Sequence, residues 1–153
     1  MLSLQEISDR LEIQDLFSRY SYAIDERNWD ALDEVFTPDA AIDYSETGGA
    51  KGSYPQIKAW LADALARFPS YQHMVATTQL KLDGDRATSR TILFNPMVYE
   101  RDGARQVFFV GLWYRDSLVR TPDGWRIAER YEEMAYTHNA PEMPAPPELA
   151  ASA

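Results

Sequence analysis

The spacing of apolar positions divides the chain into two halves. From Leu4 to about Glu26, Ile13, Leu16, Phe17, Tyr20 and Ile24 recur at intervals of three and four and form one stripe of a helix. Leu4, Ile7 and Leu11 fall roughly 180° away at about 100° per residue, so this helix is expected to be buried on two sides or to bend near Glu12. Ser3 and Glu6 have the spacing of a capping box. Asn28 is placed to cap a second short helix running through Phe36, ended by Pro38. Ala40 to Tyr44 then reads as a short strand, and Gly48, Gly49 and Gly52 mark a loop. Ser53 and Gln56 make another capping box, after which Ile57, Trp60, Leu61, Ala64, Leu65 and Phe68 keep helical spacing until Pro69.

Beyond Pro69 the period changes to that of strands. The runs are about Gln72–Leu82, Ala87–Tyr99, Gln106–Arg120 and Trp125–Thr137. Asp83-Gly84-Asp85, Asp102-Gly103 and Pro122-Asp123-Gly124 lie between them, and Asp-Gly pairs adopt the positive φ angles of tight hairpins. Four long strands joined by short turns make an antiparallel meander. Helices followed by strands indicate an α+β fold, with helices packed on one face of a curved sheet. One domain over 1–138 is expected, followed by a tail over 139–153 that holds four of the nine prolines. The tail is expected to pack on the domain or on a neighbouring subunit.

Charge and composition remove several function classes. The chain carries 24 acidic and 15 basic side chains, a net charge of −9, and a phosphate backbone would be repelled by that field. There is no cysteine, hence no disulfide, thiolate metal site or cysteine nucleophile. The acidic N-terminus lacks the basic start and apolar run of a signal peptide, and no stretch approaches a membrane span. Nucleic-acid and membrane partners are therefore not expected, and a cytoplasmic location is. Aromatic residues make up 12% of the chain, enough for an ordinary core or for an aromatic-walled pocket.

No phosphate loop, nucleophile elbow or HExxH pattern is present. A histidine-based metal site usually needs two or three imidazoles, and the chain has only His73 and His138, the latter beside the tail. Asp43 and Glu46 read as a solvated loop rather than a cation site. That leaves His73, whose imidazole suits proton transfer near neutral pH. Its candidate partner is Asp25, at the end of the first helix. Leu80 and Leu82 have the opposite strand parity to His73, so either a bulge lies near Thr77-Thr78 or His73 faces away from them. Asn95 is the one carboxamide in an apolar strand. It lies before Pro96, so it is either pocket-lining or a bulge or edge position.

These residues also resemble a known family. YSYAIDERNWDALDEVFTPDAAIDY, QHMVATTQLKLDGD and WYRDSLVRTPDGWRIAERY, in that order and spacing, are similar to the SnoaL-like branch of the nuclear-transport-factor-2-like superfamily, and most of all to its scytalone dehydratases. The resemblance covers Leu11 to about Tyr136. It implies a cone, in which a strongly curved sheet wraps helices around a closed pocket. It also implies cofactor-free elimination by an Asp–His pair, matched here by Asp25 and His73, in a homo-oligomer that is commonly a trimer, with a dimer open. Tyr44 matches a tyrosine that polarises the substrate carbonyl through a water, and Tyr20 or Tyr22 is a further hydroxyl donor. Asn95, Phe108, Val110, Trp113 and Tyr131 complete the expected substrate-binding set. Ile24 replaces a tyrosine of the dehydratases, RTILFNPMVY lacks their second histidine, and Phe108 and Val110 stand where they have serine and asparagine. The expected substrate is therefore small, hydrophobic, cyclic and not scytalone itself. The reaction is an elimination or isomerisation in which the imidazolium returns its proton to the departing group. Two alternatives are a non-catalytic protein binding a hydrophobic ligand and a structural small subunit of a larger oxygenase.

Overall fold

The computed structural model describes residues 1–149; the last four residues of the expected tail lie outside the described residues. Helix α1 spans Leu4–Asp25 and begins with the capping box, Ser3 Oγ accepting the Glu6 N–H at 3.2 Å and the Glu6 carboxylate accepting the Ser3 N–H at 2.7 Å. Its stripe of Ile13, Leu16, Phe17, Tyr20 and Ile24 is buried. Leu4, Ile7 and Leu11 are exposed, so the expected second buried side does not exist. The stripe instead continues through Asp9, which is buried and accepts bonds from Trp125 Nε1 at 3.2 Å and Arg120 Nη2 at 2.7 Å. The Arg120 hydrogen bond leads the causes that hold the Asp9 carboxyl down at about 2.

The segment after α1 departs further from expectation. Trp29–Glu34 forms a 3-10 helix, with no side-chain bond from Asn28 to cap it. Strand β1 then starts at Phe36 and runs to Asp43, taking Pro38 inside it. Its pairing with the last strand breaks between Phe36 and Ala41, and Pro38, which has no N–H to give a ladder, lies in that break. A short 3-10 turn at Ser45–Thr47 leads to β2, Lys51–Ser53, and α2, Tyr54–Leu65. Phe68 lies beyond the end of α2 yet is buried.

The remaining strands are β3, Ser70–Tyr71; β4, Met74–Asp83; β5, Arg86–Arg101; β6, Ala104–Thr121; and β7, Gly124–His138. They form one curved, unclosed sheet in the order β2-β1-β7-β6-β5-β3, with β4 also paired to β5. β4 to β7 are the expected antiparallel meander, while β1 joins β7 in parallel. The strand expected from Gln72 starts instead at Met74, and Gln72 and His73 separate β3 from β4. Register also shifts between Val75 and Thr78, the bulge that parity required if His73 were to share the leucines' side. Asp102 and Gly103 both have positive φ, 53° and 78°, as the hairpin between β5 and β6 demands.

Two bulges in β7 decide which of its side chains enter the core. Ser117 pairs with Glu129 but Leu118 pairs with Ile127, leaving Ala128 extra. Trp125 and Ile127 are buried before it, Arg130 and Glu132 after it. The second bulge leaves Ala135 extra between Met134 and Tyr136.

Arg130 is 2% exposed and Asp116, beside it on β6, is 3% exposed. The pair is bidentate, at 2.8 and 2.9 Å. The guanidinium also lies 4.1 Å from the Tyr20 ring centre and 3.9 Å from that of Tyr114. Burial by itself would lower the Arg130 pKa, and Asp116 reverses this, leaving it well raised. Removing one partner strands the other charge away from water. Asp116→Ala is therefore expected to cost about 3–5 kcal/mol of stability in urea unfolding, far more than a surface Asp.

Candidate functional site

The helix and the sheet meet at Asp25 and His73. Asp25 is the last residue of α1, and His73 follows the β3 strand that ends at Tyr71. Asp25 Oδ1 lies 2.7 Å from His73 Nδ1, and both carboxylate oxygens lie 3.0 Å from the His73 backbone N–H. One carboxylate thus fixes both the chain and the ring. The His73 side chain is 9% exposed and that of Asp25 22%. Tyr20 and Tyr71 meet the imidazole edge-on, at 6.2 and 5.8 Å between centres. Tyr71 is itself tied by its hydroxyl to the Ile24 carbonyl at 3.1 Å. With Nδ1 held, Nε2 is the ring nitrogen left for a ligand.

His73 lines a cavity of about 180 Å³. Its apolar wall includes Trp60, Leu61 and Leu65 of α2, with Phe68, Leu93, Met97, Phe108, Val110 and Leu112. Ala140 and Met143 close one side from beyond β7. Leu149 reaches back to Gly52, its Cδ1 3.1 Å from where a Cβ would stand. The polar lining is Tyr20, Tyr44, Thr47, His73, Asn95, Glu132 and Thr137. The Tyr20 hydroxyl is 3.3 Å from the hydroxyls of Tyr44 and Tyr114. Burial raises the pKa of all three phenols, so they remain protonated donors.

Of the residues singled out from sequence, Asp25 and His73 come together, and Tyr20, Tyr44, Asn95, Phe108 and Val110 line the same cavity. Asn95 is buried, and its Nδ2 donates to the Gln72 carbonyl at 2.8 Å, bracing the segment that carries His73. Three expected residues lie elsewhere. Tyr22 is 67% exposed, because two helical positions turn it about 200° from Tyr20. Trp113 has the opposite parity to Phe108 and Val110 and packs under Arg90 at 4.0 Å on the other side of the sheet. Tyr131 would share the parity of Trp125 and Ile127, but the Ala128 bulge turns it outward, where it bonds Glu46. Asp43 is held by Ser45 and Lys51. Among the described residues no group of three or more His, Asp or Glu is placed to hold a metal ion. No helix among them is long and apolar enough to cross a membrane.

The site residue that sequence reasoning missed is Glu132. It is 9% exposed and contacts the Thr47 hydroxyl. Thr47 is set in place by a tight turn: Gly48 has φ of +84°, and a Cβ on Gly49 would stand 2.7 Å from the Tyr44 Cβ. Burial raises the Glu132 carboxyl to about 7, against the opposing pull of Thr47 and Arg130. An unfolded Glu releases its proton near pH 4.3, so this group's contribution to stability is complete below that pH. It is lost as pH rises toward about 7. The expected loss is on the order of 3 kcal/mol between those limits, and Glu132→Gln should flatten that part of the curve in denaturation measurements across pH.

The SnoaL-like domain family matches residues 5–131. An uncharacterized protein of Mycobacterium tuberculosis is 57% identical over 136 residues, covering 89% of this chain and 92% of its own. Among solved structures, a protein described as a scytalone dehydratase from Novosphingobium aromaticivorans superposes with a TM-score of 0.79 at 18% identity, covering 95% of this chain and 97% of its own. A hexachlorocyclohexane dehydrochlorinase superposes at 0.78 with 17% identity, covering 96% of each. At those identities the two structures establish likeness of fold alone, helices held in a curved sheet. The match over most of the chain makes this protein a member of the SnoaL-like family.

Proposed function

We propose that the protein is a cofactor-independent lyase or isomerase of the dehydratase type, acting on a small hydrophobic, cyclic substrate. The observation that carries this reading is the 2.7 Å contact between Asp25 and His73 Nδ1 at the wall of an apolar cavity. A carboxylate on Nδ1 selects the tautomer with its proton there and leaves Nε2 as a base. The same carboxylate stabilises the imidazolium once Nε2 has taken a proton from carbon. Tyr44 and Tyr20, kept protonated by burial, donate to the negative charge that develops on a substrate oxygen. The apolar wall excludes water and strengthens each of these interactions. The likeness to proteins named for loss of water and of hydrogen chloride adds support for elimination.

The base can be tested apart from any leaving group. β-Tetralone is a bicyclic ketone with acidic hydrogens beside its carbonyl. In deuterium oxide the protein is expected to speed exchange of those hydrogens, followed by proton NMR. His73→Ala should lower the catalysed rate by about 10²–10⁴-fold, and Asp25→Asn should lower it less. Equal rates in wild type and His73→Ala would falsify the assignment of the base.

A further inference from the structure

We propose that Glu132 is a second reacting group in this cavity: it supplies the proton that a departing substrate oxygen needs, and the Thr47 hydroxyl then turns to hold the carboxylate left behind. The proposal rests on the reading of His73 as the base and names the substrate class, an alcohol whose hydroxyl lies one carbon beyond the carbon that loses its proton.

Thr47 has one hydroxyl proton. Its Oγ1 lies 2.9 Å from the Tyr44 carbonyl oxygen, which can only accept, and it also contacts Glu132 Oε2. An ionised Glu132 would leave two acceptors competing for that single proton. With the proton on Glu132 both contacts are satisfied: the carboxyl donates to Thr47, and Thr47 donates to Tyr44. When Glu132 gives its proton away, the Thr47 hydroxyl can rotate to the new carboxylate. The Tyr44 carbonyl does not become an orphan, because the Gly49 N–H already donates to it at 2.8 Å. Glu132 Oε2 therefore keeps a partner in either protonation state, and neither Thr47 nor the Tyr44 carbonyl is left unsatisfied on passing between them.

The surroundings of Glu132 favour the acid without locking it. Its neighbours are Thr47 from the turn after β1, Asp43 at the end of β1, Arg130 two residues earlier on β7, and the phenols of Tyr20 on α1, Tyr44, and Tyr114 on β6. Arg130 is already bidentate with Asp116, so Glu132 is not its ion-pair partner. Glu132, on β7, and His73, in the break between β3 and β4, line the same cavity, with the Tyr20 ring against His73 and its hydroxyl within the tyrosine cluster.

His73 Nε2 takes the proton from carbon, and the C–H electron pair becomes the new C=C bond. The adjacent C–O bond breaks, its pair goes to the oxygen, and that oxygen takes the Glu132 proton and leaves as water. The protein is left with an imidazolium and a carboxylate. Solvent takes the proton from the first and returns one to the second. Chloride departs as a stable anion and needs no such proton, whereas hydroxide does. An acid at this position therefore marks the cavity for dehydration.

The probes are the aldol adduct of benzaldehyde and acetone, a β-hydroxy ketone whose dehydration product absorbs in the near ultraviolet, and its β-chloro counterpart. Glu132→Gln is expected to slow elimination from the alcohol at least about tenfold more than elimination from the chloride. His73→Ala should slow both together. Thr47→Val, which leaves Glu132 in place but takes away the donor to its carboxylate, should move the alkaline limit of alcohol elimination to higher pH than in the wild type. Equal losses on alcohol and chloride in Glu132→Gln would make the residue merely structural and overturn the proposal. Undiminished dehydration in that variant would return the proton to the His73 imidazolium and also overturn it. β-Tetralone exchange separates the two readings, since it needs the base and no leaving group. Exchange that depends on His73, with dehydration indifferent to Glu132, leaves the base standing and removes the acid.

Discussion

The buried pair of Arg130 and Asp116 is the constraint on which the inner face of the cone depends. A guanidinium removed from water must be paired and packed, and here it has one carboxylate in bidentate contact and two phenol rings against its faces. Those rings belong to Tyr20 and Tyr114, whose hydroxyls meet, with that of Tyr44, in one cluster. Tyr20 in turn packs edge-on against His73. The charge pair thus sets the positions of the phenols, and the phenols set one side of the imidazole. The site has no independent scaffold; it is the polar part of the core.

Asp25 shows the same economy from the helix side. A carboxylate at a helix C-terminus is slightly unfavourable, since the helix dipole places negative charge there. The position is retained because three bonds converge on it, two from the His73 backbone N–H and one from the ring. The break between β3 and β4 is what frees that N–H from the sheet ladder. An uninterrupted strand over this stretch would have kept the ring but lost the clasp.

The sequence carries its information unevenly. Helical periodicity and the two capping boxes were legible because they depend on neighbours within four residues. The meander was legible because Asp-Gly turns announce themselves. Leu4, Ile7 and Leu11 misled, since apolar spacing shows which residues share a side and not whether a partner covers that side. Asp116 did leave a signal, a charge alternating with Tyr114 and Leu118 on an inward parity. Glu132 left none that parity could read, because the extra residue at Ala128 inverts the count between Trp125 and Arg130. The same inversion put Tyr131 outside. Asp25 and His73 are 48 positions apart, and neither local period nor spacing brings them together; the scarcity of histidines and the helix-end place of Asp25 made them candidates, and the likeness to a known family matched both.

The bulge at Ala128 also bears on how this surface changes over evolutionary time. Strand register has a period of two, and Ala128 is the residue that stands outside it, since Ile127 pairs with Leu118 and Glu129 with the next residue, Ser117. Loss of that one residue would close the bulge into a regular strand, with Arg130 still opposite Asp116 and Glu132 still inward. The strand can therefore change its length by one residue at this point without changing which side chains face the pocket.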